Sequence, residues 1–417
     1  MSNVPLPDAL PRDSAASPRW LSIVGLGEDG VEGLSPVARG LIGAAEIVFG
    51  GKRHLGLAAA LIRGAARPWP SPFDGAPEEV MRHRGRQVCV LASGDPFQYG
   101  VGAVLARHVD AREMVVVPAV SAFSLAAARL GWSLPDTILL SVHGRTLNLI
   151  RPHLQPGARI LALTSGGEGP ASLAKLLAES GFGASRLTVL EALGGPREHI
   201  RTTTAADFAL GAVSALNTLA IETVAAAGAR ILALTPGLSD DLFEHDGQIT
   251  KREIRAVTLS SLAPRRGEML WDIGAGAGSV AIEWMLADPT MRAIAIERRA
   301  DRAARIRRNA AAFGVPDLDT IESAAPAALS GLATPDAIFV GGGSDAAVLD
   351  AAARALRSGG RLVANAVTLE TEALLLARHA ALGGEMIRIA ITRAEPVGGK
   401  NGWRAAMPVT QWTWVKP

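Results

Sequence analysis

Short apolar runs alternate with Ala- and Leu-rich stretches through the first half of the chain. Such runs, bounded by Gly, Pro or polar turns, predict β-strands, whereas the longer stretches predict helices. The predicted strands span residues 20–24, 87–91, 114–117, 137–141, 159–163 and 186–190, and the clearest helices span 121–130 and 171–180. Their alternation predicts α/β layers around a mainly parallel sheet.

The pattern changes in the segment TPGLSDDLFEHD at residues 235–246, where Pro, Gly and acidic residues cluster. Such a stretch is typical of a domain boundary. A second α/β pattern follows, with helices predicted at 251–261 and 279–286, strands at 269–273, 293–296, 337–340, 361–364 and 386–392, and a final edge strand at 411–415. Since no internal repeat relates the halves, we predict two different domains, at 19–235 and 240–417.

Length and composition agree with two folded domains. At 417 residues the chain exceeds the size at which one hydrophobic core usually stops growing. It is 48% hydrophobic and 20% charged, which indicates a folded globular protein rather than a disordered one. Lys and Arg are scattered and the net charge is only +2, so the charge pattern predicts no nucleic-acid partner.

The cysteines and histidines of the sequence indicate where the protein is located and whether it binds a metal. Cys89 is the only cysteine, so no disulfide can form within one chain and a cytoplasmic location is expected. The start of the chain has Pro and Asp where a signal peptide needs an apolar segment, and no stretch reaches membrane-spanning length without charge, so no membrane partner is expected. The histidines show no metal-ligand spacing, so no metal site is expected.

The strongest local motif is LWDIGAGAGSVAIEW, in which an apolar strand ends in Asp272 and a G-x-G-x-G turn opens a helix. Glycine lets the backbone adopt positive φ and approach a ligand closely. Glu297 ends the next predicted strand, where a carboxylate can accept hydrogen bonds from both hydroxyls of a ribose. The short glycine spacing after an acid favours S-adenosylmethionine over a dinucleotide. A turn that merely packs, and a solvated strand end at Glu297, are the alternatives.

After a later strand of this half the chain reads IFVGGGSD, with Gly341, Gly342 and Gly343. Amine methyltransferases commonly place an Asn/Asp-Pro-Pro-aromatic turn here to hold a nitrogen, and its absence argues against a nucleic-acid methyltransferase. Three glycines leave room for a large, flat substrate, or form a tight turn before a helix capped by Ser344 or Asp345.

Motifs in both halves carry a resemblance to known families. EHDGQITKREIRAVTLSSLAP, WDIGAGAGSVAIEW, FVGGG and LVANAVTLE together resemble the decarboxylating precorrin methyltransferases of vitamin B12 biosynthesis. VGLGEDG, ASGDPFQYG, PAVSAF and SVHGR resemble the tetrapyrrole methylases that act on C5. The match covers nearly the whole chain beyond about residue 19, and the fused pair is similar to the family of precorrin-6Y C5,15-methyltransferases (decarboxylating).

This resemblance implies a two-lobed tetrapyrrole methylase fold followed by a class I, Rossmann-like methyltransferase domain. It implies two S-adenosylmethionine sites, one in each domain, that serve a tetrapyrrole substrate. Methyl groups would go to C5 and C15 of precorrin-6 while the C12 acetate leaves as carbon dioxide, which gives precorrin-8. The first domain would act at C5 and the second at C15 and the acetate. Relatives also suggest a homo-oligomer.

The resemblance implies particular cofactor contacts in each domain. In the first domain they lie in a Gly-Asp-Pro loop and at the start of a helix, where an ordinary type I turn and an N-cap are the alternatives. In the second domain the family often has Gly-Asp where this chain has Ser323 and Ala324, so an acid near the adenine is missing. The expected cofactor contacts are Gly94, Asp95, Pro96, Gly100, Ser121 and Ala122, followed by Thr250, Asp272, Gly274, Ala275, Gly276, Ala277, Gly278, Glu297 and Ala325.

Substrate contacts are expected from the carboxylates of the macrocycle. Arg252 and Arg255, three apart on one predicted helix, could grip them, although exposed helical arginines are often only solvated. The catalytic candidates are His143, which could donate a proton at C5 or make a structural hydrogen bond, and Arg145, which could also clamp the rim. Weaker expected substrate contacts are Gly25 and Gly27 in the GLGEDG turn, Gly342, Gly343, and Asn365 and Glu370 at a predicted strand end.

One alternative stays open from the sequence. The GLGEDG turn departs from the commoner G-x-G-P-G-D pattern by Glu28, Asp29 and Gly30. The first domain could therefore be a degenerate module that only binds tetrapyrrole, attached to one working methyltransferase.

Carbon methylation of a reduced tetrapyrrole needs mainly positioning, and the macrocycle itself can act as the electron sink for decarboxylation.

Overall fold

The computed structural model describes residues 19–70, 73–341 and 345–417. Within these ranges the chain divides into two compact units. The first comprises residues 19–145 and 156–229, and the second comprises residues 146–155 and 230–417. None of the helices described in these ranges is both long and apolar enough to cross a membrane.

The first unit contains a five-stranded, parallel sheet in the order β3-β2-β4-β1-β5. Both faces of this sheet are covered by apolar side chains, which is why the strands read as continuous apolar runs rather than alternating ones. The strands are β1 (Leu21–Leu26), β2 (Ile47–Gly50), β3 (Ala65–Pro68), β4 (Val88–Ser93) and β5 (Met114–Val117). The helices are α1 (Pro36–Ala44), α2 (Lys52–Leu57), α3 (Ala76–Met81), α4 (Val101–Leu105) and α5 (Ala122–Leu130).

The second sheet of this unit is mixed. Its strands, in the order β6-β7-β10-β8-β9, are β6 (Ile138–Ser141), β7 (Arg159–Leu163), β8 (Arg186–Glu191), β9 (His199–Thr204) and β10 (Asn217–Glu222), and α6 (Gly169–Glu179) follows β7. β6 and β7 pair in parallel, whereas the other neighbouring pairs are antiparallel. The prediction of a mainly parallel sheet is confirmed for the first sheet and wrong for this one. A short link such as that between β8 and β9 joins antiparallel neighbours, because a parallel pair needs a long crossover.

The second unit is built on a seven-stranded sheet in the order β13-β12-β11-β14-β15-β19-β16. The strands from β13 to β15 in that order are parallel and alternate along the chain with helices, as in a Rossmann-like fold. The strands are β11 (Met269–Ile273), β12 (Arg292–Glu297), β13 (Asp319–Glu322), β14 (Ala337–Val340), β15 (Arg361–Ala366), β16 (Glu385–Ile389), β17 (Thr392–Val397), β18 (Lys400–Ala405) and β19 (Val409–Val415), of which β17 and β18 form a separate hairpin. The helices are α7 (Arg252–Leu262), α8 (Ser279–Leu286), α9 (Ala300–Phe313), α10 (Ala346–Ala355) and α11 (Leu369–Leu382).

The end of the chain differs from its prediction in two ways. Residues 386–392 were expected to form one strand, but β16 ends at Ile389 and β17 begins at Thr392. The strand predicted at the edge is β19, and it lies between β15 and β16, antiparallel to both. Its Trp412 and Trp414, two residues apart and so on one face of the strand, are buried in the hydrophobic core. Strand order was not readable from the local apolar pattern.

A short segment of the first half of the sequence, residues 146–155, packs in the second unit. Its 3-10 helix, Leu147–His153, lies against α9. Gly314 ends α9 with a φ of 78°, and a Cβ added there would lie 2.5 Å from Pro152. Gln155 Nε2 donates to the carbonyl of Leu232 at 2.7 Å. The sequence pattern did not indicate this exchange, since it depends on the fit of surfaces far apart along the chain.

Candidate active sites

A cavity of about 450 Å³ opens in the first unit at the carboxyl ends of its parallel strands. This is the edge at which open α/β sheets bind ligands, and the volume lies within the usual range of small-molecule sites. The predicted residues on its wall are Gly27, Gly94, Asp95, Gly100, Ser121, Ala122 and His143. The fold therefore brings most of the residues expected around the first cofactor to one place.

Two loops meet tightly at this cavity. Gly94, with a φ of 53°, leaves no room for a side chain, because an added Cβ would lie 2.9 Å from the carbonyl oxygen of Val120. The carbonyl of Gly94 accepts a hydrogen bond from the amide of Ala119 at 3.1 Å. Asp95 closes a local turn by accepting from the amide of Phe97 at 2.9 Å, and Ser121 caps α5. The N-cap considered for Ser121 is therefore present, and both Asp95 and Ser121 also lie on the cavity wall.

Three predicted residues of this unit do not lie on the cavity wall. Gly25 is enclosed by backbone: an added Cβ would lie 1.9 Å from the oxygen of Gly94 and 2.5 Å from the nitrogen of Ala119. Its expected contact with substrate is wrong, because it is the packing of three chain segments that requires glycine there. Pro96 is buried behind the wall, and Arg145 is exposed outside it.

His143 lies on the wall of the cavity with its Nδ1 3.2 Å from the carbonyl oxygen of Thr164. This is the structural hydrogen bond that the sequence left open. The ring still faces the cavity, so its role in proton transfer stays a prediction.

Sequence reasoning missed a polar cluster on the same wall. Arg53 and His54 stand in the first turn of α2, directly after β2, and Ser93 ends β4. The Arg53 guanidinium pairs with Glu28, whose side chain is only 8% exposed, and donates to Ser93 Oγ at 3.0 Å. β2, β4 and β1 are neighbours in the sheet, so their carboxyl ends meet and bring these side chains together. The signal was the charged pair in GGKRHL after a short apolar run, which was too short to be read as a strand.

The second unit forms the glycine turn at the carboxyl end of β11. Gly274, Gly276 and Gly278 have φ values of 74°, 60° and 75°, a region that side chains disfavour. Glu297 ends the neighbouring strand β12 and is buried, and its Oε2 accepts a hydrogen bond from the amide of Gly276 at 3.0 Å. Strand, turn and second acid therefore converge as the motif predicted. Ala275 is half-buried and Ala277 is buried behind the turn.

Asp272 is 1% exposed and accepts a hydrogen bond from the amide of Ala281 at 3.1 Å. Its other oxygen, Oδ1, is buried with no hydrogen-bond partner among the described residues. Burial raises the pKa of this carboxyl to about 7, with a smaller contribution from the charge of Glu297 and opposition from the Ala281 hydrogen bond. A buried acceptor that lacks a donor, beside a turn without side chains, fits a cationic and hydroxyl-rich nucleoside such as S-adenosylmethionine.

The segment before α7 lies against this turn. The Asn309 amide donates to the carbonyl oxygens of Glu244 and Ala277, both at 2.9 Å, and so fastens the segment to the turn. An added Cβ at Gly276 would lie 3.3 Å from the oxygen of Gln248, two residues before the half-buried Thr250. Ala325 is half-buried next to the core on the other face of the sheet, and its cofactor contact stays a prediction.

Two expected substrate contacts of the second unit are engaged inside the fold. Arg255 is fully buried, pairs with Glu283 at 2.6 Å and lies over the ring of Phe243 at 4.8 Å. Its expected role as a substrate clamp is wrong, since its guanidinium fastens the linker to α8; Arg252, one turn earlier, is exposed. Asn365 is also corrected. Its Nδ2 donates to Thr258 Oγ1 at 3.0 Å and its Oδ1 accepts from Gln411 at 2.9 Å, so both polar groups are used within the core.

Glu370 is exposed in the first turn of α11, not at the strand end where it was predicted. Gly342 and Gly343 lie outside the described residues. Gly341 is described, and a Cβ added there would lie 3.1 Å from the oxygen of Gly274, so the two loops approach closely. Among the residues that the structure describes, no group of three or more His, Cys, Asp or Glu side chains could hold a metal ion.

Two family models match the chain, one in each half of the sequence. Residues 21–209 match the tetrapyrrole (corrin/porphyrin) methylases, and residues 241–416 match the precorrin methyltransferase domain. Fold and matches together define an S-adenosylmethionine-dependent carbon methyltransferase with two α/β domains.

Similarity to curated proteins extends over both domains. A precorrin-6Y C(5,15)-methyltransferase (decarboxylating) from Sinorhizobium sp. is 62% identical over 398 residues, which cover 95% of this chain and 96% of the relative. The protein of that name from Mycobacterium tuberculosis H37Rv is 40% identical over 400 residues, 94% of this chain and 99% of the relative. The chain belongs to the precorrin-6Y C(5,15)-methyltransferase (decarboxylating) family. The crystal structure of the C-terminal domain of such an enzyme from Rhodobacter capsulatus is 49% identical, covers 44% of this chain and 100% of that chain, and has a TM-score of 0.43.

Proposed function

We propose that this chain transfers two methyl groups from S-adenosylmethionine to C5 and C15 of precorrin-6 and removes the carboxyl of the C12 acetate as carbon dioxide, in cobalamin biosynthesis. The product is precorrin-8. The observation that carries this proposal is the 62% identity to a protein of that name across 95% of the chain, which spans both domains rather than one.

The two domains divide the work. The first unit, with its cavity at the carboxyl ends of β1, β4 and β5, methylates C5. The second unit, with its glycine turn after β11, methylates C15 and carries out the decarboxylation. This division follows from the resemblance of residues 21–209 to tetrapyrrole methylases and of residues 241–416 to a precorrin methyltransferase domain.

Each unit holds its own S-adenosylmethionine, which when bound supplies an electrophilic methyl group to a carbon of the macrocycle. In the second unit the turn Gly274 to Gly278 lets the backbone approach the nucleoside, Glu297 accepts from its ribose, and Asp272 faces its cationic end. In the first unit the Gly94 and Ser121 loops hold it. The unpartnered Oδ1 of Asp272 and the close packing of Gly94 against Val120 support these sites.

The chain's own contribution is mainly positioning. A carbon nucleophile held in line with a methyl group reacts as if at a very high local concentration, so a cavity that positions the two reactants does much of the work. We expect exposed arginines such as Arg252 to hold rim carboxylates and to leave the reacting acetate without a cation, which would favour loss of carbon dioxide.

A product analysis with the intact protein tests this function. The protein is incubated with precorrin-6 and S-adenosylmethionine carrying ¹³C in its methyl group, and the product is examined by mass spectrometry and ¹³C NMR. Two labelled methyl groups gained and one carbon dioxide lost are expected. A product with one methyl group, and none at C5, would instead show that the first domain only binds the tetrapyrrole.

We further propose that the protein works in the cytoplasm as a homo-oligomer. Leu369, Trp403 and Met407 of the second unit, at 80%, 79% and 71% exposed, are the apolar side chains that such an interface would cover. Sedimentation at several protein concentrations would show a mass above that of one chain.

A further inference from the structure

The wall of the cavity in the first unit has two sides, which follow different strands of the parallel sheet. The loops proposed to hold the methyl donor, at Gly94 and Ser121, follow β4 and β5. The other side follows β2 and β3, which are neighbours at one edge of the sheet, and it includes Arg53, Trp69 and Phe73. Because the cofactor loops form only one side, the β2–β3 side is available to the second reactant.

Arg53 gives the β2–β3 side a positive charge. It is the only arginine or lysine among the described residues that line the cavity. Its ion-pair partner Glu28 also pairs with Arg197 at 3.4 Å, so these three side chains together carry one net positive charge. Asp95, by contrast, lies in the cofactor loop, where an anion suits a cationic methyl donor. The charges therefore divide the wall into a side that suits an anion and a side that suits a cation.

The neighbours of Arg53 hold its guanidinium at the wall. Nη1 pairs with Glu28, and Nη2 donates to His54 Nε2 at 2.7 Å and to Ser93 Oγ at 3.0 Å. Arginine never accepts a hydrogen bond, so His54 must be the acceptor and its ring neutral. Burial, and then the charge of Arg53, lower the pKa of His54 to about 4, which keeps the ring neutral. The Arg53 side chain is still 32% exposed, so its guanidinium can donate to a further acceptor.

Aromatic rings form the rest of the β2–β3 side. Trp69 directly follows β3, and its amide donates to the carbonyl of Gly50, three residues before Arg53, at 3.1 Å. The Trp69 ring stacks on Phe49 at 5.7 Å and meets Phe73 edge to face at 5.4 Å. Phe73 is 41% exposed. A flat, conjugated ligand can stack on such a surface or meet it edge to face.

We propose that the β2–β3 side of this cavity is the subsite for the tetrapyrrole, in which Arg53 binds a carboxylate of the macrocycle rim and Trp69 and Phe73 pack against the ring. This inference rests on the proposed function of the first unit. A guanidinium presents N–H groups in a plane that matches a carboxylate, and an apolar ring with an anionic rim needs both kinds of surface.

The position of Arg53 suits methyl transfer at C5. C5 is a bridge carbon between two rings that carry carboxylate side chains, so a carboxylate lies on either side of it. Arg53 donates to Ser93, which directly precedes Gly94 in the cofactor loop. A carboxylate bound by Arg53 therefore brings this edge of the macrocycle next to the methyl donor. Glu28 and His54 act through Arg53 and are positioning residues.

The test measures KM for precorrin-6 in methyl transfer to C5 by the intact protein, with saturating ¹³C-labelled S-adenosylmethionine. Arg53→Met removes the charge and the N–H groups, so KM should rise about 10- to 100-fold, the range for hydrogen bonds between charged groups. The value of kcat should change little, because the contact is made before and during methyl transfer. Arg53→Lys should lie between, and Arg86→Met, which breaks an exposed pair with Glu46 away from the cavity, should match wild type.

A double variant separates substrate binding from the loss of an ion pair. Arg53→Met leaves the Glu28 carboxylate, only 8% exposed, with Arg197 alone, and a buried charge without its partner can disturb the wall. Glu28→Gln combined with Arg53→Met removes that charge too, so KM should stay as high as in the single variant. A double variant with the wild-type KM would contradict a substrate contact at Arg53. Where Arg53→Met fails to fold, the double variant decides.

The aromatic part of the subsite has its own variant. Phe73→Leu keeps an apolar side chain but removes the ring, so KM for precorrin-6 should rise about threefold, as for the loss of one aromatic contact. Phe208→Leu is the matched control, because Phe208 is half-buried in the same unit and does not line this cavity. Equal KM values for the two variants would remove Phe73 from the subsite.

S-adenosylmethionine also carries a carboxylate, and its affinity separates the two sources. Equilibrium dialysis with Arg53→Met should show wild-type affinity for S-adenosylmethionine, and a loss that matches the rise in KM would assign Arg53 to the cofactor and overturn the proposal. A KM within about threefold of wild type would also overturn it. A wild-type protein that leaves C5 unmethylated would instead overturn the proposed function of the first unit, and this subsite with it.

Discussion

At the scale of single residues, the fold changes the acid–base chemistry of Asp272. In the sequence it is simply the acid before a glycine turn. In the structure it is buried, its Oδ1 has no partner among the described residues, and the charge of Glu297 is close enough to raise its pKa further. A group held in this way links the stability of the unliganded protein to pH.

Asp272→Asn tests this link in the absence of S-adenosylmethionine. The folded pKa, about 7, is above the ordinary 3.8, so the contribution of Asp272 to stability is full below pH 4 and is lost as pH rises through 7. Between those values the unfolding free energy of wild type should fall relative to the variant by about 1.4 kcal/mol per pH unit at most. Denaturant titrations from pH 5 to 8 measure this difference.

A surface variant serves as the control for that measurement. The hydroxyl and amide of Thr290 lower the pKa of Asp288, so its ionisation is complete below this pH range and Asp288→Asn should show no such slope. Stability curves of Asp272→Asn and wild type that stay parallel from pH 5 to 8 would contradict the assigned environment of Asp272.

At the scale of elements, α7 shows why equal spacing does not mean equal exposure. Arg252 and Arg255 are one helical turn apart, yet the first is exposed and the second is fully buried. Arg255 joins α7 to α8 through Glu283, whose two oxygens also accept the amides of Gly237 and Leu238 at 2.7 and 3.0 Å. The linker between the two halves of the sequence is thereby fixed to the helix that follows the glycine turn.

Replacing each arginine by methionine separates these roles. Arg255→Met leaves the Glu283 carboxylate, only 3% exposed, without its cation, and is expected to cost about 3–5 kcal/mol of unfolding free energy. Arg252→Met, on the solvent side of the same helix, is expected to change it by less than about 0.5 kcal/mol. Denaturant unfolding followed by circular dichroism measures both, and equal effects would show that the buried pair does not stabilise the second unit.

At the scale of the whole molecule, the two units present different folds with separate candidate cofactor sites. One lies at a parallel sheet covered on both faces, and the other at the glycine turn of a Rossmann-like sheet. No single cut of the chain separates the two units. Residues 146–155 belong to the second unit, although the chain on both sides of them, 19–145 and 156–229, belongs to the first.

Cofactor stoichiometry tests the two-site arrangement in the intact protein. Wild type should bind two S-adenosylmethionine molecules per chain, measured by equilibrium dialysis with labelled ligand. Glu297→Ala removes the carboxylate that accepts a hydrogen bond from the amide of Gly276 in the second unit. One S-adenosylmethionine should then remain bound, in the first unit, and the product should gain a methyl group at C5 only. Glu385→Ala, exposed at the start of β16, is the matched control and should bind two. One molecule per wild-type chain would contradict a site in each unit.

The sequence by itself determined the features that depend on neighbours along the chain. Apolar runs and glycine turns placed β11, α8 and β14 with their bounds, because strand, turn and helix form from local spacing. The motif around Asp272 predicted a nucleoside site, since a ligand at a strand end needs an acid and glycines at fixed intervals. The resemblance of both halves to known families predicted the reaction.

Only the tertiary structure decided the features that depend on contacts between distant segments. It placed β19 inside the sheet, buried Arg255 and Asn365, and enclosed Gly25 between two backbones. It also joined Arg53, His54 and Ser93, which come from two strand ends about forty residues apart in sequence. The physical reason is the same in each case: burial and pairing are set by which surfaces meet, and local pattern carries no information about the partner.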